Sequence, residues 1–161
     1  MGNTIKITAK PNKQEIFIER EFDAPRELLF KIMTNKDYIT EWRGPKEYTT
    51  EIDKADIRSG GVWRFIQHDQ QGNIFKFHGV YHEVLMPSLI INTFEWEGLP
   101  EKGHVILETV TYETLSGNRT KLVVHQVFQS VTDRDGMLQS GMEMGMRESY
   151  ERLDALLVKQ K

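Results

Sequence analysis

The sequence predicts an α+β fold: a curved antiparallel sheet of about six or seven strands, two short helices after the first strand, and one long C-terminal helix lying on the sheet. Three observations predict it. Strand-like stretches recur at hairpin spacing between residues 47 and 128. A Pro-initiated helical pair interrupts the chain after its first strand. The stretch Thr132 to Lys161 is the only element long enough to cover an exposed sheet face.

Taken in order, Met1 to Lys13 is polar and is expected to be loosely held. Ile16 and Ile18 alternate with Phe17 and Glu19, and Phe22 follows, which is a strand pattern. Asp23-Ala24-Pro25 ends it. Pro25 suits the first position of a helix running from Arg26 to Met33, with Leu29, Phe30 and Met33 spaced for burial. Thr34-Asn35 breaks that helix, Lys36 to Glu41 forms a second, and Trp42-Arg43-Gly44-Pro45 turns the chain. Strands are then expected at Glu47–Asp53, Val62–His68, Ile74–Leu85, Leu89–Trp96, Val105–Thr114 and Thr120–Phe128. Gly60-Gly61, Gly72, Pro87, Gly98 to Gly103, and Gly117 mark the turns between them. In the longest strand Phe75, Phe77, Gly79 and Tyr81 share one face, and Lys76, His78, Val80 and His82 the other. Consecutive hairpins imply an antiparallel meander, with Glu47–Asp53 as a candidate edge.

The last stretch has two unlike halves. Thr132 is expected to cap a single helix, with Asp135 three residues on, and Lys159 and Lys161 suit its C-terminal end. Leu153, Leu156 and Leu157 make an ordinary core stripe. The first half carries Met137, Met142, Met144 and Met146 among Gly141 and Gly145. Glycines inside a helix each cost about 1 kcal/mol relative to Ala. They imply that this half needs close approach or open space, and the methionines imply irregular surroundings.

Composition removes several classes. The 161 residues carry 21 basic and 24 acidic side chains, a net charge of −3, so nothing in the balance calls for nucleic acid or an anionic membrane. With no cysteine, disulfides, thiol nucleophiles and thiolate metal sites are excluded. No apolar run would span a bilayer, and the N-terminus has neither a signal-peptide core nor the Ser or Thr that myristoylation of Gly2 requires. A cytoplasmic protein of one domain, residues 1–161, is expected, without stable membrane association. His78 and His82 lie about 13 Å apart along a strand, too far to share a metal. His68, His104 and His125 have no ligand spacing, so no metal is expected. Neither a nucleophile elbow, a phosphate loop nor a dinucleotide fingerprint is present, and no cofactor is implied.

Motifs through most of the chain resemble those of the START-like (SRPBCC) superfamily, the helix-grip fold. Within it the chain is most similar to the family named after homologues of the activator of heat-shock-protein-90 ATPase. The resemblance rests on Phe22-Asp23-Ala24-Pro25, Trp42-Arg43-Gly44-Pro45, and Asp56-Ile57-Arg58-Ser59-Gly60-Gly61-Val62-Trp63-Arg64. It continues in Gly79-Val80-Tyr81-His82-Glu83-Val84, Pro87, Phe94-Glu95-Trp96, and Gly141-Met142 and Gly145-Met146 with Tyr150 and Leu153. The family often has a second tryptophan where this chain has Arg43.

The resemblance implies a cavity between sheet and last helix. Its ligand-binding lining would be Phe30, Met33, Trp63, Phe65, Phe77, Tyr81, Phe94, Trp96, Tyr112, Gln126, Met137, Gly141, Met142, Gly145 and Met146. Gln126 is placed inward by alternation with Leu122, Val124 and Phe128; Arg64 is placed outward, against a carboxylate. The register of residues 105–114 leaves the face of Tyr112 open. Asp53, Asp56 and Arg58 suit an ion-paired turn. Trp42 and Arg43 suit either a plug at one end of the core or a rim and partner contact. A filled core explains the same aromatic and Met stripes, and both readings stand at this point. Three functions are carried forward. The first is non-enzymatic binding of a small apolar or amphipathic molecule. The second is a co-chaperone with a chaperone partner in a stress response. The third is a polyketide cyclase or aromatase-like enzyme, disfavoured because no acid–base pair converges inside the expected cavity.

Overall fold

The computed structural model describes residues 3–160. Its elements are β1 (Lys6–Thr8), β2 (Glu15–Phe22), α1 (Arg26–Thr34), α2 (Lys36–Trp42), β3 (Thr49–Ala55) and β4 (Val62–His68), followed by β5 (Ile74–Leu85), β6 (Leu89–Trp96), β7 (Ile106–Leu115), β8 (Arg119–Val127), α3 (Val131–Gln139) and α4 (Met142–Gln160). The eight strands form one antiparallel sheet in the order β1-β2-β8-β7-β6-β5-β4-β3. The meander expected from hairpin spacing is present from β3 to β8, and β2 closes onto β8, with Ile16 opposite Gln126 and Phe22 opposite Thr120. β3 is an edge strand, as its position suggested.

Alternation decides which face is buried. Ile16, Ile18, Arg20 and Phe22 of β2, and Thr120, Leu122, Val124 and Gln126 of β8, point to the helices and are buried. Leu29, Phe30 and Ile32 of α1 and Tyr150, Leu153, Leu156 and Leu157 of α4 meet them. Each such side chain contributes about 1.5–3 kcal/mol on burial. Phe22 meets the Tyr150 ring edge-on at 5.4 Å. Arg20 is buried among these groups and forks onto Asp154 of α4, with N–O distances of 2.8 and 2.6 Å. That pair fixes the angle of α4 against β2.

Two expectations need correction. The segment before Lys13 is not loose along its described length. Lys6, Ile7 and Thr8 pair with Glu19, Ile18 and Phe17, and the Lys10 carbonyl accepts from the buried Arg134 guanidinium at 2.8 Å. Three residues are too few to show a period-2 pattern, so β1 exists only through its partner; it makes the strand count eight. The C-terminal stretch is two helices rather than one. Ser130, not Thr132, caps α3, its hydroxyl accepting from the Asp133 N–H. Gly141, at φ +84°, separates α3 from α4, so it terminates rather than interrupts a helix. Gly145 does lie inside α4, but an added Cβ would meet only the Pro45 ring at 3.6 Å, an ordinary contact. Close approach therefore does not require it. Lys161 and Gly2 lie outside the described residues.

These two glycines should respond oppositely. Gly145→Ala is expected to raise stability by about 0.5–1 kcal/mol. Gly141→Ala places a side chain at positive φ and should lower it by about 1 kcal/mol. Urea midpoints of the two variants check this, and stabilisation of both would contradict the break at Gly141.

Candidate functional site

Residues directly opposed in an antiparallel pair share a face. Tyr81 stands opposite Asn92, Asn92 opposite Glu108, Glu108 opposite Gln126, and Gln126 opposite Ile16. A polar row thus crosses the helix-facing side of the sheet. Gln126 Nε2 donates to one Glu108 oxygen at 2.7 Å, and Asn92 Nδ2 donates to the other at 3.2 Å and to the Thr93 carbonyl at 3.1 Å. Asn92 and Gln126 are buried, and Gln126 Oε1 has no hydrogen-bond partner among the described residues. Glu108 and Asn92 escaped the sequence reading. Their signal was alternation with Val110 and Tyr112, and with Ile90 and Phe94. For Glu108 that signal could not be used because the register of residues 105–114 was open.

Beside this row stands an aromatic wall. Trp63 lies 4.9 Å from Phe65 and 5.8 Å from Phe94, and Phe94 lies 5.3 Å from Phe77. The indole of Trp63 crosses Gly79, where an added Cβ would stand 2.6 Å from Nε1 and 1.8 Å from the Thr93 carbonyl oxygen, so only glycine fits. Trp63 and Phe65 are buried, whereas Phe77 and Phe94 are half-buried. Trp96 shares their side, opposite Phe77, but is 38% exposed with its ring folded over Gly98, so it borders the site rather than lining its interior.

At the other end Phe30 packs on Tyr112 at 4.9 Å, and the Tyr112 hydroxyl donates to Met33 Sδ at 3.5 Å. Tyr112 is fully inward, which resolves the open register. Met137, Met142 and Met146 are half-buried against the core, Met144 faces solvent, and Gly141 is exposed at the α3–α4 break.

The Trp42–Pro45 turn is locked to α4. Ser149 Oγ accepts from the Gly44 N–H at 2.9 Å, Arg152 Nη1 donates to the Gly44 and Pro45 carbonyls at 3.2 Å each, and Glu148 accepts from the Lys46 N–H at 3.1 Å. Trp42 is buried in the core, as the plug reading expects. Arg43 instead projects over the aromatic wall, its guanidinium carbon 5.0 Å from the Phe65 ring centre and 5.5 Å from that of Trp63. Burial pushes the Tyr81 phenol up to about 12, while the Arg43 charge pulls it down and the Glu108 charge pushes it up. Burial also raises Tyr112, and raises Tyr150, where Glu108 and Arg43 again act in opposite senses. Two buried phenols, those of Tyr81 and Tyr150, therefore feel both the Arg43 cation and the Glu108 carboxylate. Glu108 adds a carboxylate to this interior that the sequence reading did not place there.

The opposite face of the sheet carries a separate ionic cluster. Arg64 points outward as alternation predicts, and forks onto Glu97 at 2.9 Å for both bonds and onto Asp53 at 3.2 Å. Arg58 pairs with Asp56, while Asp53 is drawn to Arg64 instead of the expected turn. His78 bridges Glu95 and Glu97, and His104 meets Asp133, which raises its pKa. Among the described residues no three His, Asp or Glu side chains are grouped to hold a metal, and no helix is long and apolar enough to cross a membrane.

The architecture is that of the helix-grip proteins. The model of the family described as "Activator of Hsp90 ATPase homolog 1-like protein" matches residues 23–158, and the chain belongs to that family. Among solved structures, the chain is similar to a protein from Arthrobacter aurescens, with a TM-score of 0.85, 23% identity, and 96% of this chain and 91% of that one covered. It is equally similar to a Rhodobacter sphaeroides protein, with a TM-score of 0.85, 21% identity, and coverage of 96% and 98%. An AHSA1 protein from Silicibacter pomeroyi matches with a TM-score of 0.75, 22% identity, and coverage of 91% and 99%. Identities this low carry the fold alone. Among curated proteins, none matches the chain by sequence.

Glu97 gives the fold a pH dependence. Its hydrogen bonds to Arg64, and secondly to His78, hold its carboxyl down at about 2 against an ordinary 4.5. A depressed carboxylate adds stability above its unfolded pKa, and that share is lost as pH falls towards the folded value. Thermal midpoints of Glu97→Gln should therefore fall less than those of the wild type between pH 4.5 and about 2. Parallel curves would remove Glu97 from the acid response.

Proposed function

We propose that the protein binds a small apolar or amphipathic molecule between its sheet and α4, without transforming it. The observation that carries this reading is the row Tyr81–Asn92–Glu108–Gln126 set beside half-buried Phe77, Phe94, Met142 and Met146. An interior built only to be filled has no use for buried polar atoms without partners, each costing about 1–3 kcal/mol. Of the four buried side-chain polar atoms without partners among the described residues, Gln126 Oε1 and Trp63 Nε1 belong to this site, and Trp42 Nε1 and Arg26 Nε lie outside it. A ligand with an apolar body would offer a hydroxyl donor to Gln126 Oε1 or a carbonyl acceptor to Trp63 Nε1, which is how a few polar groups set orientation in an apolar site. Recognition fits better than catalysis. Both Glu108 oxygens already accept hydrogen bonds, and Tyr81 stays protonated at neutral pH, so neither is poised to exchange a proton. The remaining site residues would act as lining: Phe30, Met33 and Tyr112 at the closed end, Met137 and Trp96 at the border.

Trp63 in the wall supplies the signal. Titration with fatty acids, flavonoids and polyketides should change tryptophan emission saturably, and native mass spectrometry should show a one-to-one adduct. No adduct and no saturable change with any class would end the binding reading.

A co-chaperone role is the second reading, favoured by the family's description alone. It predicts that adding the protein raises the ATPase rate of a heat-shock-protein-90 chaperone; an unchanged rate across stoichiometric excess sinks it.

A further inference from the structure

Arg43 differs from every other arginine of the described residues. Arg20 has Asp154, Arg64 has Glu97 and Asp53, Arg119 has Glu21 and Asp23, Arg58 has Asp56, and Arg147 has Glu143. Arg134 has Asp135 and the Lys10 carbonyl, Arg26 the Tyr112 carbonyl, and Arg152 two carbonyls of the Trp42–Pro45 turn. The Arg43 guanidinium has neither a carboxylate nor a carbonyl acceptor among the described residues; it meets only the rings of Phe65 and Trp63. A guanidinium lying over aromatic rings leaves its in-plane N–H fork to other acceptors. The side chain is half-buried, and its backbone is held in place. Its carbonyl accepts from Thr50 Oγ1 at 2.6 Å, and its neighbour Gly44 is fixed to Ser149. The fork is thus presented to the interior by a rigid turn. Its charge acts on Tyr81 of the sheet and on Tyr150 of α4, in both cases against the effect of burial.

We infer that the molecule held between sheet and α4 is an apolar acid, its anionic group forked by Arg43 at the Trp63–Phe65 wall and its body lying along Phe77 and Phe94. This rests on the binding reading above and names the ligand class for it. A partly desolvated guanidinium with a free fork is matched by a carboxylate or sulfonate, which takes two parallel N–H bonds. A neutral ligand would leave that fork unmet. Glu108 sits further along the row and disfavours a second acidic group at that end.

The test compares two dyes with one arene body, anilinonaphthalene sulfonate and its uncharged counterpart phenylnaphthylamine, by fluorescence titration at low salt. The sulfonate should bind about tenfold or more tightly than the neutral dye, the expected gain from a charge-assisted fork. Arg43→Gln should abolish that preference while leaving phenylnaphthylamine affinity within about twofold, which also reports that the site is folded. Arg43→Lys should keep part of the preference, since charge persists without the fork. Equal affinities in the wild type, or a preference that survives Arg43→Gln, would overturn the inference. If the neutral dye still binds, only the acid preference is wrong; if neither dye binds, the cavity itself is refuted along with it.

Discussion

The interior depends on a mismatch of lengths. The sheet is eight strands wide, and α4, at 19 residues, is about 28 Å long. Its buried residues run from Ser149 to Leu157, so the tightly packed contact is confined to the C-terminal half. There Phe22, Leu122, Tyr150 and Leu153 pack densely, and Arg20 with Asp154 sets the angle. The other half has no equal apolar stripe, and there Met142 and Met146 are only half-buried against the core, with Gly145 facing the Pro45 ring. Methionines suit that setting, being unbranched and able to fit irregular space.

The polar row follows from the same geometry. Every inward position on β5 to β8 at that level belongs to the face that the helices cover. A polar residue there must find its partner within the sheet or do without. Glu108 is the hub because it lies between Asn92 and Gln126 in register, and accepts from both. The row thereby marks a chemical boundary: Phe30 and Tyr112 on one side are buried, while on the other Trp63 is buried and Phe77 and Phe94 are half-buried. Arg43 is brought to the Trp63 side by Ser149, Arg152 and Glu148, which belong to the packed half of α4 or adjoin it.

Much of the fold was legible because hairpin spacing and period-2 alternation are local signals. The bounds of β4, β5 and β6 were read residue for residue, and the outward Arg64 followed from its neighbours Trp63 and Phe65. What failed did so for physical reasons. β1 is too short to carry a period. The α3–α4 break depends on Gly141 adopting positive φ, which a helix-interior glycine need not do. Gly145 resembled a packing glycine yet makes only an ordinary contact. Trp96 alternates inward on paper, but it is the last residue of β6 and stays exposed, its ring folded over Gly98.

The sequence by itself determined the class of fold, the strands of the meander, the anchoring leucines of α4 and the inward direction of Gln126. Each depends on spacing within one element, and spacing is a property of the chain. Only the tertiary structure decided that Glu108 and Asn92 join Gln126, that Tyr112 faces inward, and that Arg43 meets rings instead of a carboxylate. Those facts depend on register between strands and on which turn an adjoining helix holds, and neither is encoded within any single segment.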